Sequence, residues 1–230
     1  MFLFLAVAAA LSDILSGLLI FHPRINVIGT RYIVGFASGI VIATAFFELL
    51  PESDVANNYL YLGLGFFTFY ILEKAVMLHS CGEQECETHN MGWVAAVGMS
   101  ADNVVDGIGI AIGYLTDPML GILITIVVIA HEIPQGITTA VLMRDAGFRL
   151  PQIMATLVFA GAMYPFGALL SGIIPPHLYK AILAFVAGSF IYIGVGDLLL
   201  EAHRRFNVKV VFSVLFGATV LLVLTQLFEH

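Results

Sequence analysis

Long apolar stretches follow one another along almost the whole chain, separated by short polar breaks. A helix of roughly 20 apolar residues crosses the roughly 30 Å hydrocarbon core of a bilayer. The pattern therefore predicts an all-α integral membrane protein with eight transmembrane helices. The predicted spans are residues 1–21, 31–50, 59–78, 91–114, 118–142, 151–173, 178–202 and 208–228.

Composition agrees with a bilayer environment, because 60% of the residues are hydrophobic and only 11% are charged. Few residues are left between the spans, so residues 1–230 are predicted to form a single transmembrane domain. A short cytoplasmic loop is expected at 79–90, with His79, Cys81, Cys86 and His89. Their spacing matches no defined zinc module, so a solvated acidic loop is favoured over a metal-sensing one.

Basic residues predict the orientation, because Lys and Arg near span ends are retained on the cytoplasmic side. Of the basic residues near span ends, only Lys180 follows an even-numbered span, and the others follow odd-numbered spans. Both termini are therefore expected outside the cytoplasm, in the plasma (inner) membrane. The net charge of −7 comes partly from acids within spans, so no nucleic-acid partner is expected. The residues that follow odd-numbered spans are Arg24, Arg31, Lys74, Arg144, Arg149, Arg204, Arg205 and Lys209.

An internal repeat relates the second and seventh spans. FASGIVIATAFFELLPE at 36–52 aligns without a gap with FVAGSFIYIGVGDLLLE at 185–201. Five crossings separate the two spans, so they run in opposite directions through the membrane. An inverted repeat of spans 1–3 and 6–8 around central spans 4 and 5 is therefore predicted, as in many transporters.

Acidic residues at the ends of the repeated spans have i, i+4 spacing, which places both side chains of a pair on one helical face. Glu48 and Glu52 are expected near the outer surface. Asp197 and Glu201, followed by His203, are expected near the inner one. These residues are candidates for a transport path, although acids at helix ends can also simply mark the headgroup layer.

Two polar motifs interrupt the central spans, DNVVDG at 102–107 and HEIPQG at 131–136. A charged residue at the bilayer centre costs roughly 2.5–3.5 kcal/mol, so three unpaired acids would cost about 8–10 kcal/mol. Neither span contains Lys or Arg that could compensate them. The candidate ligands of a compensating cation are Asp102, Asn103, Asp106, His131, Glu132 and Gln135.

A divalent cation would neutralise these side chains, because carboxylate, amide and imidazole groups suit Zn²⁺, Fe²⁺ or Mn²⁺. The lack of thiolate ligands in the motifs argues against copper(I). Protonation of the acids is the competing solution. A hydrogen-bonded polar core without an ion is the other alternative.

These motifs resemble those of the ZIP (Zrt/Irt-like) metal-ion transporters, in which spans four and five carry His-Asn-x-x-Asp/Glu-Gly and His/Gln-Glu/Asp-x-Pro-Glu-Gly. FASGIVIATAFFELLPE, GFFTFYILEK and MYPFGALLSG also look like the family's second, third and sixth spans. The resemblance covers essentially all eight predicted spans. It implies that both termini lie outside, and that Asn103, Asp106, His131 and Glu132 are metal ligands.

Four positions depart from the family pattern. Asp102 and Glu48 each stand where His is usual, while Gln135 and Tyr164 each replace a Glu that can bridge two metals. Without these two bridging carboxylates the site lacks the negative charge that would hold two dications close together, so a single-metal site is favoured. Asp102 is a harder ligand than His, which would favour Mn²⁺ or Fe²⁺ over Zn²⁺.

The sequence thus predicts a transporter, not an enzyme, with no catalytic cofactor and with a divalent cation as substrate (zinc, iron, manganese or cadmium). The cation would move toward the cytoplasm by alternating access through a mid-membrane site. One alternative is a transport-impaired metal sensor. Another is an intramembrane metalloenzyme, because HEIPQ differs by one residue from HExxH. Besides the metal and the lipid bilayer, a homodimer partner is left open.

Overall fold

The computed structural model describes residues 1–19, 30–81, 91–204 and 207–228. These residues form helices, turns and short irregular connections, and none of them lies in a strand, which confirms the all-α prediction. The helices are α1 (Phe2–Leu18), α2 (Thr30–Thr44), α3 (Val55–Cys81), α4 (Met91–Thr116), α5 (Pro118–Asp145), α6 (Leu150–Leu170), α7 (Tyr179–Ile191) and α8 (Val208–Phe228).

Six helical segments of the described residues are long and apolar enough to cross a membrane. Helix α1 is apolar but shorter, with 17 residues. Crossings by α1 and α4 therefore stay a prediction. The six segments are Arg31–Glu52, Val55–Ala75, Pro118–Val141, Leu150–Ile173, Pro176–Ala202 and Val208–Leu227.

Helices α2 and α7 both continue into a π-helical segment. Helix α2 passes into Ala45–Leu49 and a last turn at Leu50–Glu52. Helix α7 passes into Tyr192–Leu199 and a last turn at Leu200–Ala202. One predicted path acid lies within each segment, Glu48 in the first and Asp197 in the second, and π-helical turns are frequent at functional sites.

Local sequence explains where helix α5 begins and ends. The Asp117 carboxylate accepts the backbone N–H groups of Met119 and Leu120 at 2.9 and 3.0 Å, and Pro118 is the first helical residue. At the other end Gly147 takes a φ of 84°, which only glycine adopts without strain. Between these limits the helix runs without a break through Pro134.

Helix α3 is longer than the apolar stretch from which it was predicted. It continues through residues 79–81, which the sequence had assigned to the cytoplasmic loop. Backbone hydrogen bonds within a helix do not require apolar side chains, so the helix continues beyond the apolar stretch. Cys86 and His89, and the rest of the predicted loop at 82–90, lie outside the described residues.

Helices α4 and α5 pack on each other at the centre of the bundle. Helix α4 also packs on α6, and α5 packs on α1 and α2. Helices α3 and α8 are peripheral: only 11% and 22% of their span residues are buried, against 61% for α2, α5 and α7. The polar motifs of α4 and α5 therefore lie in the most enclosed part of the molecule.

Glycines bring the backbones together where α2 crosses α8 and where α7 crosses α3. A Cβ atom added at Gly39 would collide with the Val214 carbonyl oxygen of α8. A Cβ atom added at Gly188 would collide in the same way with the Leu62 carbonyl oxygen of α3. These two glycines are equivalent in the gapless alignment of 36–52 with 185–201.

Candidate metal centre

The glycines that end the two central motifs are needed for close helix packing. A Cβ atom at Gly107 would collide with the Tyr164 carbonyl oxygen of α6. A Cβ atom at Gly136 would lie 2.7 Å from a carboxylate oxygen of Asp13 in α1. Each motif thus combines polar side chains with a glycine that lets a neighbouring helix approach them.

Four side chains from the two motifs form a compact cluster, which we call the central cluster: Asp102, Asp106, His131 and Glu132. Each offers one possible ligand atom, and these atoms all lie within 4.8 Å of one another. Asp106, His131 and Glu132 are fully buried, and Asp102 is 7% exposed. Three carboxylates and one imidazole therefore share a space that water barely reaches.

His131 presents its Nε2 atom to two carboxylates. Nε2 lies 3.1 Å from Asp106 Oδ2 and 3.2 Å from Glu132 Oε1. The other ring nitrogen, Nδ1, lies 3.1 Å from the Val127 carbonyl oxygen, which can only accept a hydrogen bond. Nδ1 therefore carries a hydrogen, and Nε2, which lies against the two carboxylates, is the ring nitrogen that can bind a metal once it is deprotonated.

Several oxygens of the motifs have no hydrogen-bond partner despite being buried. They include one oxygen each of Asp102, Asp106 and Asn103 and both carboxylate oxygens of Glu132. Each buried unsatisfied group costs about 1–3 kcal/mol. This pattern disagrees with a polar core held by its own hydrogen bonds, and it suits a cation that coordinates several oxygens at once.

The two amide side chains lie beside the cluster in different ways. The Asn103 amide donates to the Ala160 carbonyl oxygen at 2.9 Å, which leaves its own oxygen unpartnered. The Gln135 amide donates to Asp102 Oδ2 over a long 3.4 Å. The Asn103 side-chain oxygen is therefore available to a ligand, while Gln135 contacts Asp102.

A cavity of about 520 Å³ leads away from the central cluster. Asp102 and Gln135 line it, and so do Asp197, Glu201 and Arg204, near the end of α7. Glu201 pairs with Arg204 at 2.7 Å. Asp197 and Glu201, two of the predicted path residues, thus share one cavity with the motif residues.

The other predicted path residues lie apart from this cavity. Glu48 accepts a 2.5 Å hydrogen bond from the Thr225 hydroxyl of α8. Glu52 is half-buried in the last turn after α2. His203 is not among the residues that line the cavity, and its Nδ1 bonds the Leu199 carbonyl oxygen of its own helix at 3.1 Å.

The sequence interpretation missed one contributor to the cavity, Glu73 of α3. Its carboxylate accepts a hydrogen bond from the Tyr192 hydroxyl and pairs with Lys74 at 2.6 Å. Both Glu73 and Tyr192 line the cavity. A charged residue inside the third apolar stretch was the available signal, since such residues usually face the bundle interior.

An apolar helical bundle that buries carboxylate and imidazole groups at its centre is typical of membrane proteins that bind or move ions. A family model described as ZIP Zinc transporter matches residues 78–225. The chain belongs to the ZIP zinc transporter family, whose members are transporters and not enzymes.

Individual relatives support this assignment. The chain is 33% identical to "Zinc transporter ZIP13 homolog" of Drosophila melanogaster over 60% of this chain and 42% of that protein. It is 26% identical to "Zinc transporter ZIP13" of Pongo abelii over 74% of this chain and 57% of that protein. With yeast "Zinc transporter YKE4" it shares 25% identity over 59% of this chain and 45% of the relative. The chain thus spans about half the length of these curated relatives.

Proposed function

We propose that this chain moves divalent transition-metal cations across a membrane through the central cluster. The observation that carries the proposal is the set of four buried ligand atoms within 4.8 Å of one another. The proposed ligands are Asp102, Asn103, Asp106, His131, Glu132 and Gln135, with Asn103 acting through its free oxygen and Gln135 mainly through Asp102. Zn²⁺ is the first candidate, with Mn²⁺, Fe²⁺ and Cd²⁺ as further substrates.

We further propose that the cation leaves toward the cytoplasm through the 520 Å³ cavity. Arg204 lines this cavity and belongs to the basic residues that predict the cytoplasmic side. Asp197 and Glu201 would attract the cation along the exit. Glu48 and Glu52, at the equivalent end of α2, would serve the opposite entrance, and His203 would act beyond the exit.

Alternating access by an inverted repeat is the proposed mechanism. Two observations support it: the equivalent glycines Gly39 and Gly188 each meet a peripheral helix, and both repeated helices end in a π-helical segment. In this scheme eight spans cross the plasma (inner) membrane, with both termini outside. A homodimer remains one assembly compatible with this scheme.

A single bound cation is the proposed occupancy, because Gln135 and Tyr164 stand at positions where the family can offer bridging carboxylates. The same replacements favour one alternative function, a metal sensor that binds a cation without transporting it. A transporter and a sensor would both bind the cation, but only the transporter would move it across the membrane.

Radiometal uptake into proteoliposomes tests the proposal, with Zn²⁺, Mn²⁺, Fe²⁺ and Cd²⁺ offered separately. We expect Asp106→Asn and His131→Ala to lower the uptake rate by at least about tenfold, because each removes a buried ligand. Asp117→Asn is the matched control, since asparagine caps a helix as well as aspartate does. Equal uptake in all chains would refute the site, and metal binding without uptake by the unmodified chain would identify a sensor.

A further inference from the structure

Asp13 of helix α1 is a buried acid outside the two central motifs. Its side chain is fully buried, and neither carboxylate oxygen has a hydrogen-bond partner. The Ser16 hydroxyl, one turn later, donates a hydrogen bond to the Asp13 backbone carbonyl and not to the Asp13 carboxylate. A packing role does not account for such a group, because an apolar or amide side chain would fill the space at lower cost.

Helix α1 packs Asp13 against the HEIPQG motif of α5. The Ser16 hydroxyl, one turn after Asp13, lies 3.4 Å from the Glu132 backbone carbonyl oxygen. One Asp13 oxygen lies against Gly136, so the glycine of the motif makes room for it. Helix α1 therefore brings a fourth carboxylate against the HEIPQG motif from outside the central helix pair.

Three other buried residues, in or next to the central motifs, also have unpartnered oxygens. Asn103 Oδ1, Glu132 Oε2 and the Tyr164 hydroxyl are without partners, and all three residues are fully buried. The Tyr164 backbone carbonyl oxygen lies against Gly107 of the DNVVDG motif. Helices α1, α4, α5 and α6 thus each carry a buried unpartnered oxygen on a residue that lies in a central motif or packs against one.

We propose that Asp13 is a ligand of the transported divalent cation, together with Asn103 and Glu132. This inference rests on the proposed transport function and adds a ligand that neither central motif contains. The set consists of oxygen atoms alone, which Mn²⁺ accepts more readily than Zn²⁺ does. Asp13 therefore favours hard cations, whereas His131 supplies the nitrogen ligand that suits Zn²⁺.

Metal binding to the purified full chain in detergent tests this role, with Mn²⁺ and Zn²⁺ as probes in separate titrations. We expect Asp13→Asn to raise the Mn²⁺ dissociation constant by about tenfold or more, because a charged ligand is lost, and the Zn²⁺ constant by less. Ser12→Ala is the matched control, since the Ser12 hydroxyl bonds only the Ala9 carbonyl of its own helix. It should bind both metals like the unmodified chain.

Thermal unfolding of the same proteins supplies a second readout. Without metal, Asp13→Asn should unfold at a higher temperature than the unmodified chain, because a buried carboxyl group without hydrogen-bond partners is removed. With Mn²⁺ present, its rise in unfolding temperature should be smaller than that of the unmodified chain. Asp13→Ser serves the same comparison if Asp13→Asn is not recovered folded.

Asp106→Asn, measured in parallel, separates this inference from the proposed function. If Asp106→Asn loses Mn²⁺ binding while Asp13→Asn binds Mn²⁺ as tightly as the unmodified chain, Asp13 is not a ligand and the transport site stands. If Asp106→Asn also keeps normal binding of both metals, the proposed function itself fails. Loss of Mn²⁺ affinity in both variants, with Ser12→Ala unaffected, supports the role of Asp13.

Discussion

Asp102 is the residue whose chemistry distinguishes the central cluster most clearly. It is the one cluster member with some exposure, at 7%, and it faces the 520 Å³ cavity. Its second oxygen accepts the long hydrogen bond from Gln135, and the first is unpartnered. A cation that passes between the cluster and the cavity therefore meets a carboxylate where an imidazole is usual in the family.

Asp102→His should shift the metal preference toward Zn²⁺. The change replaces an oxygen ligand with a nitrogen ligand, so we expect the ratio of Zn²⁺ to Mn²⁺ affinity to rise on the order of tenfold. Competition between the two metals for the purified chain measures this ratio. Asp102→Asn is the comparison, because it removes the charge without adding nitrogen and should weaken both metals. A ratio that is the same for Asp102→His and Asp102→Asn would contradict a ligand role for Asp102.

At the scale of the helices, close crossings depend on glycines that meet a carbonyl group of the partner helix. Gly107 of α4 lies against Tyr164 of α6, and Gly167 of α6 lies against the Val104 carbonyl oxygen of α4. Sequence patterns show which glycines lie within apolar helices, where small residues allow close contacts. They could not indicate the partner helix, because apolar periodicity describes one helix at a time.

The two equivalent crossings should respond alike to the same substitution. Gly39→Ala and Gly188→Ala each place a methyl group against a backbone carbonyl that cannot rotate away, so each should destabilise the chain by about 1–3 kcal/mol. Gly63→Ala is the matched control, because a Cβ atom there meets nothing within 4 Å. Thermal unfolding in detergent measures all three. A tolerated change at one crossing and a severe one at the other would argue against the inverted repeat.

At the scale of the whole molecule, the cavity connects the central cluster with one end of the bundle. Glu73 of α3 and Tyr192 of the π-helical segment are hydrogen-bonded at its wall, although 119 residues separate them in the sequence. The bond joins a peripheral helix to a repeated one. The cavity is therefore a product of packing between distant segments, and its shape changes if those segments move.

Thiol labelling tests the side to which the cavity opens. Thr138 is exposed and lines the cavity, so Thr138→Cys, with Cys81 and Cys86 replaced by Ser, should react with a membrane-impermeant maleimide. We expect the reaction only when the reagent is applied from the cytoplasmic side. Thr219→Cys is the control, because Thr219 is exposed on the peripheral helix α8 and should face lipid. Labelling of Thr138→Cys only from the outside would reverse the proposed orientation.

The sequence by itself determined an all-helical chain with several membrane-spanning stretches, the two motifs and the four residues that form the central cluster. Membrane helices require continuous apolar stretches, and i, i+4 spacing brings Asp102 near Asp106 within one helix. The tertiary structure decided which helices meet. It placed Asp13 against Gly136, separated Glu48 from the cavity and added Glu73 to it, because contacts between distant helices depend on packing that no local pattern encodes.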